Sequence, residues 1–540
     1  MKLSRVTSSP TFASLVVGLV GGLVAAASLP PFGFWPVAPL GIAMLLLALE
    51  DHGWARRCAT GWLFGLGLMV PGLWWASHFN WYGAVLLMAF EAAFFAAAAC
   101  VIAPGRGRTL TAIGALTLAE AARESWPLGG LPIGGLPLGQ VGGPLLALAR
   151  LIGPMGIMAA LVVAGAGIRI LTTALAAKSD GGDGALRRTA HGSILLGLLA
   201  LLVAWAALAP SGGPALAHRS VAAVQGGGRR GTSAQQTDPA QVTTAHLAAA
   251  LGVPTGTQLT VLPEDVVGLD GPLVGSRQLA SLRSTARALG TTLLAGVTTP
   301  VGRQRFDNFV VALNRHGHII GSVEKVHRVP FGEYVPARSF MSRFADLSGV
   351  PRDAVVGTSH EVVATPAGKL GVLISFEVFF SSRGRDVVTH GAQALVVPTN
   401  TTSYPTAQMP AQELAAARLQ AVERGRYLVQ ASPTGFSAVI APSGKVLAQS
   451  VLSRREVVTG RIELLSGSTI YTTIGDLPVV LLAAVVLLAG QIRSIRWPGR
   501  ADGAPIEEPL GDEDEEGDDD EQAHSEGDLM EPELGGAQSS

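Results

Sequence analysis

Eight separated apolar runs constrain this chain more than any other feature. Seven lie before residue 210, at 11–29, 35–50, 58–76, 82–104, 109–122, 144–176 and 192–209, and an eighth extends from Leu477 to Gly490. A helix needs about 20 mainly apolar residues to cross hydrocarbon, where every backbone polar group must be satisfied within the segment. Several runs approach that length. The second and fifth are short, and Glu120, Arg123 and Glu124 crowd the end of the fifth. At 48% hydrophobic and 15% charged, the 540-residue chain is too apolar for an ordinary soluble multidomain enzyme. The excess is uneven: 220–470 reads as a globular stretch and 501–540 as a polar tail. The expectation is an α-helical polytopic membrane domain over 1–210, a last span at 474–493, about eight spans altogether, and a separate domain over 219–471.

Basic residues then orient the loops, because cytoplasmic segments retain Lys and Arg. Lys2 and Arg5 precede the first run, Arg56 and Arg57 follow the second, Arg106 and Arg108 the fourth, and Lys178, Arg187 and Arg188 the sixth. The loops around Pro31–Pro36 and Ser77–Tyr82 carry neither Lys nor Arg. This alternation places both termini in the cytoplasm and the globular stretch outside the membrane, with the first run an uncleaved span. Cys58 and Cys100, the only cysteines, lie in apolar runs, so the outer domain has no disulfide framework. The tail from Ala501 holds sixteen Asp and Glu and no Lys or Arg, a composition that stays disordered. The net charge of −1 is thus a cancellation, and no nucleic-acid motif, metal cluster or phosphate-binding loop is visible.

Within 220–470, short β-rich runs alternate with Ala-rich helical stretches, which predicts an α/β domain. Strands are expected at Val221–Gln225, Leu259–Pro263, Thr292–Thr298, Phe309–Leu313, Gly371–Ser375, Ala394–Pro398, Tyr427–Ala431 and Ala438–Ala441, and helices at 242–251, 276–289 and 411–425. Arg315-His316-Gly317 and Pro442-Ser443-Gly444 read as hairpin turns. Three polar residues stand at the ends of strand-like runs: Glu264, Lys325 and Ser375. Open α/β sheets place their chemistry at such carboxyl ends.

That set, in that order, resembles the Glu–Lys–Cys triad of the nitrilase superfamily, and the membrane half narrows the resemblance to the apolipoprotein N-acyltransferases. Pro30-Pro31-Phe32-Gly33-Phe34-Trp35-Pro36, Gly61-Trp62-Leu63-Phe64-Gly65-Leu66-Gly67 and Gly72-Leu73-Trp74-Trp75 are similar to membrane-half hallmarks, and Glu120 with Arg123 sits at an acidic–basic pair. In the outer half the match runs through Val224-Gln225-Gly226, Leu262-Pro263-Glu264, the stretch from Lys325 to Pro336 including Gly332-Glu333-Tyr334, Glu423-Arg424-Gly425-Arg426 and Thr434–Ala438. The resemblance implies an αββα sandwich and ping-pong acyl transfer without a cofactor. An acyl chain leaves a membrane phospholipid for the nucleophile, then passes to the α-amine of the lipidated cysteine of a diacylated apolipoprotein. It also implies roles: Glu264 accepts the nucleophile's proton, Lys325 stabilises the oxyanion, and Glu333 and Glu377 position Lys325 and the incoming amine.

Two positions depart from the family pattern. Where the family has Cys, an aromatic and Glu, this chain has Ser375-Phe376-Glu377. A hydroxyl is far less acidic than a thiol of pKa about 8.5 and needs a stronger base. The second departure is Asn400-Thr401-Thr402-Ser403-Tyr404, where Asp and bulky aromatics usually follow the Asn of a substrate loop; Asn400 keeps its place and Tyr404 supplies a ring. Three readings follow: a transferase using Ser375, a silent homologue that binds lipoproteins or phospholipids, and a membrane-anchored amidase or esterase in which water replaces the amine.

Overall fold

The computed structural model describes residues 10–50, 52–178, 184–232, 237–343, 346–358 and 362–495. The expectations for Lys2, Arg5 and the acidic tail fall outside them.

Each apolar run is helical. The helices are α1 (Pro10–Ala26), α2 (Val37–Ala48), α3 (Trp54–Gly72), α4 (Trp81–Val101), α5 (Arg108–Arg123), α6 (Ala149–Lys178) and α7 (Gly184–Leu208). The eighth run forms the C-terminal helix Leu477–Ile495. Four helical stretches among the described residues are long and apolar enough to cross a membrane: Trp81–Val101, Pro144–Ala177, Ala185–Leu208 and Leu477–Ile495. Phe12–Ala26 and Val37–Ala48 are apolar but shorter. The other two, α3 and α5, carry charge: Arg56 and Arg57 in one, Arg108, Glu120 and Arg123 in the other.

Small residues set the packing. A Cβ on Gly65 would lie 2.6 Å from Ala92 Cα, and one on Gly67 would lie 2.3 Å from the Leu19 carbonyl oxygen. The glycine motif therefore lets α3 touch the backbones of α4 and α1, as helices do where lipid supplies no hydrophobic drive. Leu186, Leu198, Leu201 and Leu208 of α7 and Leu481, Leu482 and Leu488 of the last helix stay exposed, the pattern of a lipid-facing surface.

The second half is built on fourteen strands among the described residues: β1 (Ala215–Gln225), β2 (Leu259–Val261), β3 (Val267–Gly268), β4 (Thr292–Val301), β5 (Arg305–Leu313), β6 (Ile319–Glu324), β7 (Asp353–Ala354), β8 (Val362–Thr365), β9 (Gly368–Val372), β10 (Ala394–Pro398), β11 (Leu428–Ala431), β12 (Ala438–Ile440), β13 (Val446–Gln449) and β14 (Glu456–Leu465). One sheet runs β14-β1-β2-β4-β5-β6 with β3 and β7 on its flank, and the other runs β13-β12-β11-β10-β9-β8. β1, β2 and β4 are mutually parallel, as are β9, β10 and β11, and the outer pairs are antiparallel. Successive side chains of a strand face opposite ways. Accordingly Val221 and Ala223 meet Val372, Val396 and Val429 between the sheets, while Ala222 and Val224 pack outward under α8 (Pro239–Ala250) and α9 (Arg277–Leu289).

Four shorter or later helices complete the chain: α10 (Arg338–Met341), α11 (Ser381–Thr389), α12 (Gln408–Arg424) and α13 (Ile470–Ile474), followed by Leu477–Ile495 as α14. On the far face of β10, Leu395 and Val397 join α11, α12 and the membrane helices in one continuous core. The chain thus stacks helix, sheet, sheet, helix and then membrane helices.

One expected strand ends early, and one long strand was not expected. Gly371–Ser375 is not strand to its end, since β9 stops at Val372 and Ser375 opens a 3-10 turn through Phe379. β14, which pairs with β1 along ten residues, was not anticipated; its Thr459-Gly460-Arg461 hides the alternation.

Candidate active site

Glu264 lies three residues beyond β2, held against β4 by Gly296, where a Cβ would come within 2.5 Å of Glu264 Cα. Lys325 directly follows β6 and is 2% exposed. Its ammonium donates to Glu264 Oε1 and to Glu333 Oε1, both at 2.8 Å. Asn308 on β5 donates from Nδ2 to the same two oxygens, at 2.8 and 3.0 Å. Glu333 reaches back into its own loop, accepting from the Val329 amide at 2.8 Å. Burial opposes the Lys325 charge, but the two carboxylates outweigh it and hold the pKa above the ordinary lysine range. Lys325 is therefore a permanent cation at neutral pH.

Ser375 has a φ of +52°, left-handed backbone that a non-glycine residue adopts at a cost of about 1–3 kcal/mol and that recurs at functional sites. Glu377 holds this turn. Its Oε2 accepts from the Ile374 amide at 2.8 Å, and its Oε1 accepts from the amides of Val326 and His327 at 2.8 and 2.9 Å. The fully buried carboxylate so ties the Ser375 turn to the chain just after Lys325. Burial nevertheless raises its pKa to about 7, against those amides. Both of its oxygens accept from backbone amides, so Glu377 joins the two loops that carry Lys325 and Ser375.

The Ser375 hydroxyl meets two groups that sequence reasoning missed. It donates to Glu413 Oε1 at 3.5 Å and lies 3.2 Å from Thr399 Oγ1, which also hydrogen-bonds Glu413 Oε1. Glu413, on α12, is 1% exposed. Burial pushes its pKa up to about 7, with the Thr399 hydrogen bond and the Lys325 charge opposing and the Glu264 charge reinforcing. Asn308 was missed as well. The available signals were a charged residue on the buried face of an Ala-rich helix and an Asn inside a strand.

Asn400 and Tyr404 shape the loop after β10. Asn400 Oδ1 accepts from the Thr402 amide at 3.1 Å, an Asx turn. The Tyr404 ring packs edge-on against Trp75 and Phe79 of the membrane half, at centroid distances of 5.4 and 5.3 Å. The two halves also share polar contacts. Gln412 donates to the Gly72 carbonyl at 2.8 Å and accepts from the Gly134 amide at 3.0 Å, while Gln408 accepts from the Trp75 amide at 3.0 Å. Below them Arg123 bonds Glu120 and Glu91, each at 2.9 Å, and the carbonyls of Leu131 and Ile133. The sequence had singled out Glu120 and Arg123; Glu91 is the added member.

Residues 21–167 match the apolipoprotein N-acyltransferase N-terminal domain, and residues 220–470 match the carbon-nitrogen hydrolases. The apolipoprotein N-acyltransferase of Mycolicibacterium smegmatis is 31% identical over 88% of this chain and 84% of its own length. The chain belongs to the apolipoprotein N-acyltransferase family. The Rhodopseudomonas palustris member is 28% identical over 92% of this chain and 99% of its own. Among solved structures, the nitrilase-superfamily protein Nit3 of Saccharomyces cerevisiae aligns with 46% of this chain and 90% of its own at 21% identity and a TM-score of 0.35. The two family matches divide this chain as its fold does, into a helical half and a two-sheet half.

Proposed function

We propose that this chain transfers a fatty acyl group from a membrane phospholipid to the N-terminal α-amine of the lipidated cysteine of a diacylated apolipoprotein, as the last step of lipoprotein maturation. The reading is carried by the match of both halves at once, within relatives named apolipoprotein N-acyltransferases. Ser375 in place of a thiol is the ground for a silent homologue, and the retention of Glu264, Lys325, Glu333 and Glu377 together weighs against it.

Ser375 acts as nucleophile, Lys325 donates to the oxyanion of each tetrahedral intermediate, and Glu264 is the carboxylate partner that holds Lys325 in place. Glu333 and Asn308 fix that pair, each within 3.0 Å of it. Asn400 and Tyr404 form the loop that receives substrate beside Trp75 and Phe79. Eight spans set the two-sheet domain, residues 219–471, outside the cell membrane and both termini in the cytoplasm. Donor and acceptor both live in the bilayer, which accounts for a domain tethered at each end.

The test is acyl transfer from labelled phospholipid to a diacylated lipopeptide in detergent, by the wild type, Ser375→Ala and Ser375→Cys. The expected result is transfer by the wild type and the thiol variant and none by Ser375→Ala. A wild type that is inert while Ser375→Cys is active overturns the reading.

A further inference from the structure

A serine in place of a thiol requires a base that the hydroxyl actually meets. Glu264 Oε1 is already shared between the Lys325 ammonium and the Asn308 amide. The carboxylate within reach of Ser375 Oγ is Glu413, at 3.5 Å, with the Thr399 hydroxyl between them. A 3.5 Å separation is long for a hydrogen bond, but such contacts tighten when substrate fills a site. Glu413 rides on α12, held by Gln412 and Gln408 against the end of α3, and is shielded from water.

We infer that Glu413 is a further catalytic residue, the general base that activates Ser375, with Thr399 as its hydroxyl bridge. The inference rests on the transferase reading above. In the first half-reaction, the Ser375 Oγ–H bond breaks as the bond from Oγ to the phospholipid acyl carbon forms. The proton passes to Glu413, directly or through Thr399, and Lys325 holds the oxyanion. The bond from acyl carbon to glycerol oxygen then breaks, and Glu413 returns the proton to that oxygen, releasing a lysophospholipid. In the second half the acceptor amine attacks the ester, Glu413 takes one amine proton, the bond to Oγ breaks, and the proton returns to Ser375. Each half leaves Glu413 ionised, and no cofactor enters.

A thiol of pKa about 8.5 is already a few per cent ionised at neutral pH and depends on a base far less than a hydroxyl does, so the role weighs most on the oxygen nucleophile. The experiment measures formation of the covalent acyl-enzyme from labelled phospholipid, and subsequent transfer, in wild type, Glu413→Gln, Ser375→Cys and the Ser375→Cys, Glu413→Gln double variant. General-base assistance contributes about 10²–10⁴-fold. Glu413→Gln is expected to slow acylation of Ser375 at least ~100-fold and acylation of the thiol by less than ~5-fold. Equal losses in both backgrounds would mean that Glu413 only shapes the site, and no loss on Ser375 would mean that another group takes the proton; either overturns the inference while leaving the transferase reading intact. A wild type that forms no acyl-enzyme, while Ser375→Cys does, defeats that reading and this inference with it.

Discussion

At the residue scale, the chemistry separates into two buried carboxylate sets that share one lysine. Lys325 carries the positive charge against Glu264 and Glu333, and removing one member of a buried ion set leaves the rest unpaired at a cost of about 3–5 kcal/mol. Lys325→Met should therefore abolish transfer and lower the Tm. Adding Glu333→Gln should recover part of the Tm but none of the transfer, which a thermal melt and the lipopeptide assay read separately. Glu413 sets the pH dependence. Only its ionised form accepts a proton, so acylation of Ser375 should rise with pH through about 7, a limb absent in Glu413→Gln. The groups acting on it are Thr399 and Ser375 by hydrogen bonds and Glu264 and Lys325 by charge. Stability has the opposite sign. An unfolded chain releases the Glu377 and Glu413 protons near 4.5, whereas the folded chain keeps them to about 7, so folding is favoured below 4.5 and loses stability as pH rises to 7. Melts across that window should show Tm falling, and Glu377→Gln should flatten the slope.

At the element scale, the site depends on strands that pass very close to one another. At Gly296 the backbone of β4 runs under Glu264, and Gly296→Ala would push a Cβ into Pro263 and Glu264. A displacement of that size costs about 10²-fold when it moves a reacting group. Gly296→Ala is thus expected to lose transfer by about that factor, with acyl-enzyme formation falling in step, and a result within twofold of wild type would show that the loop relaxes freely. The same elements explain what was legible in the sequence. Glu264, Lys325 and Glu333 could be found because each stands in or beside a recognisable run, and the short, continuous apolar stretches of β2, β4 and β10, buried on both faces, placed the strands beside them. Glu413 and Thr399 could not. They meet Ser375 only when β9, β10 and α12 pack together, across separations of 24 and 38 residues that leave no local pattern. β14 escaped for a related reason, since its pairing with β1 links residues more than two hundred apart.

For the molecule as a whole, the topology remains the most direct thing to test. With Cys58 and Cys100 replaced by Ser, Arg303→Cys on the exposed β4–β5 turn should react with an impermeant maleimide in intact cells, and Arg188→Cys on α7 only after permeabilisation. Labelling of both, or of neither, before permeabilisation contradicts the orientation proposed above. The turn of α12 that presents Glu413 to Ser375 also presents Gln412 to the Gly72 carbonyl and the Gly134 amide. A protease or an engineer cutting after α7 would not release a free-floating hydrolase. The severed piece would keep α12 but lose the Gly72 and Gly134 partners that seat it, and with them the hold on its own proton acceptor, so confinement to the bilayer is written into the wiring of the site as well as into its tethers.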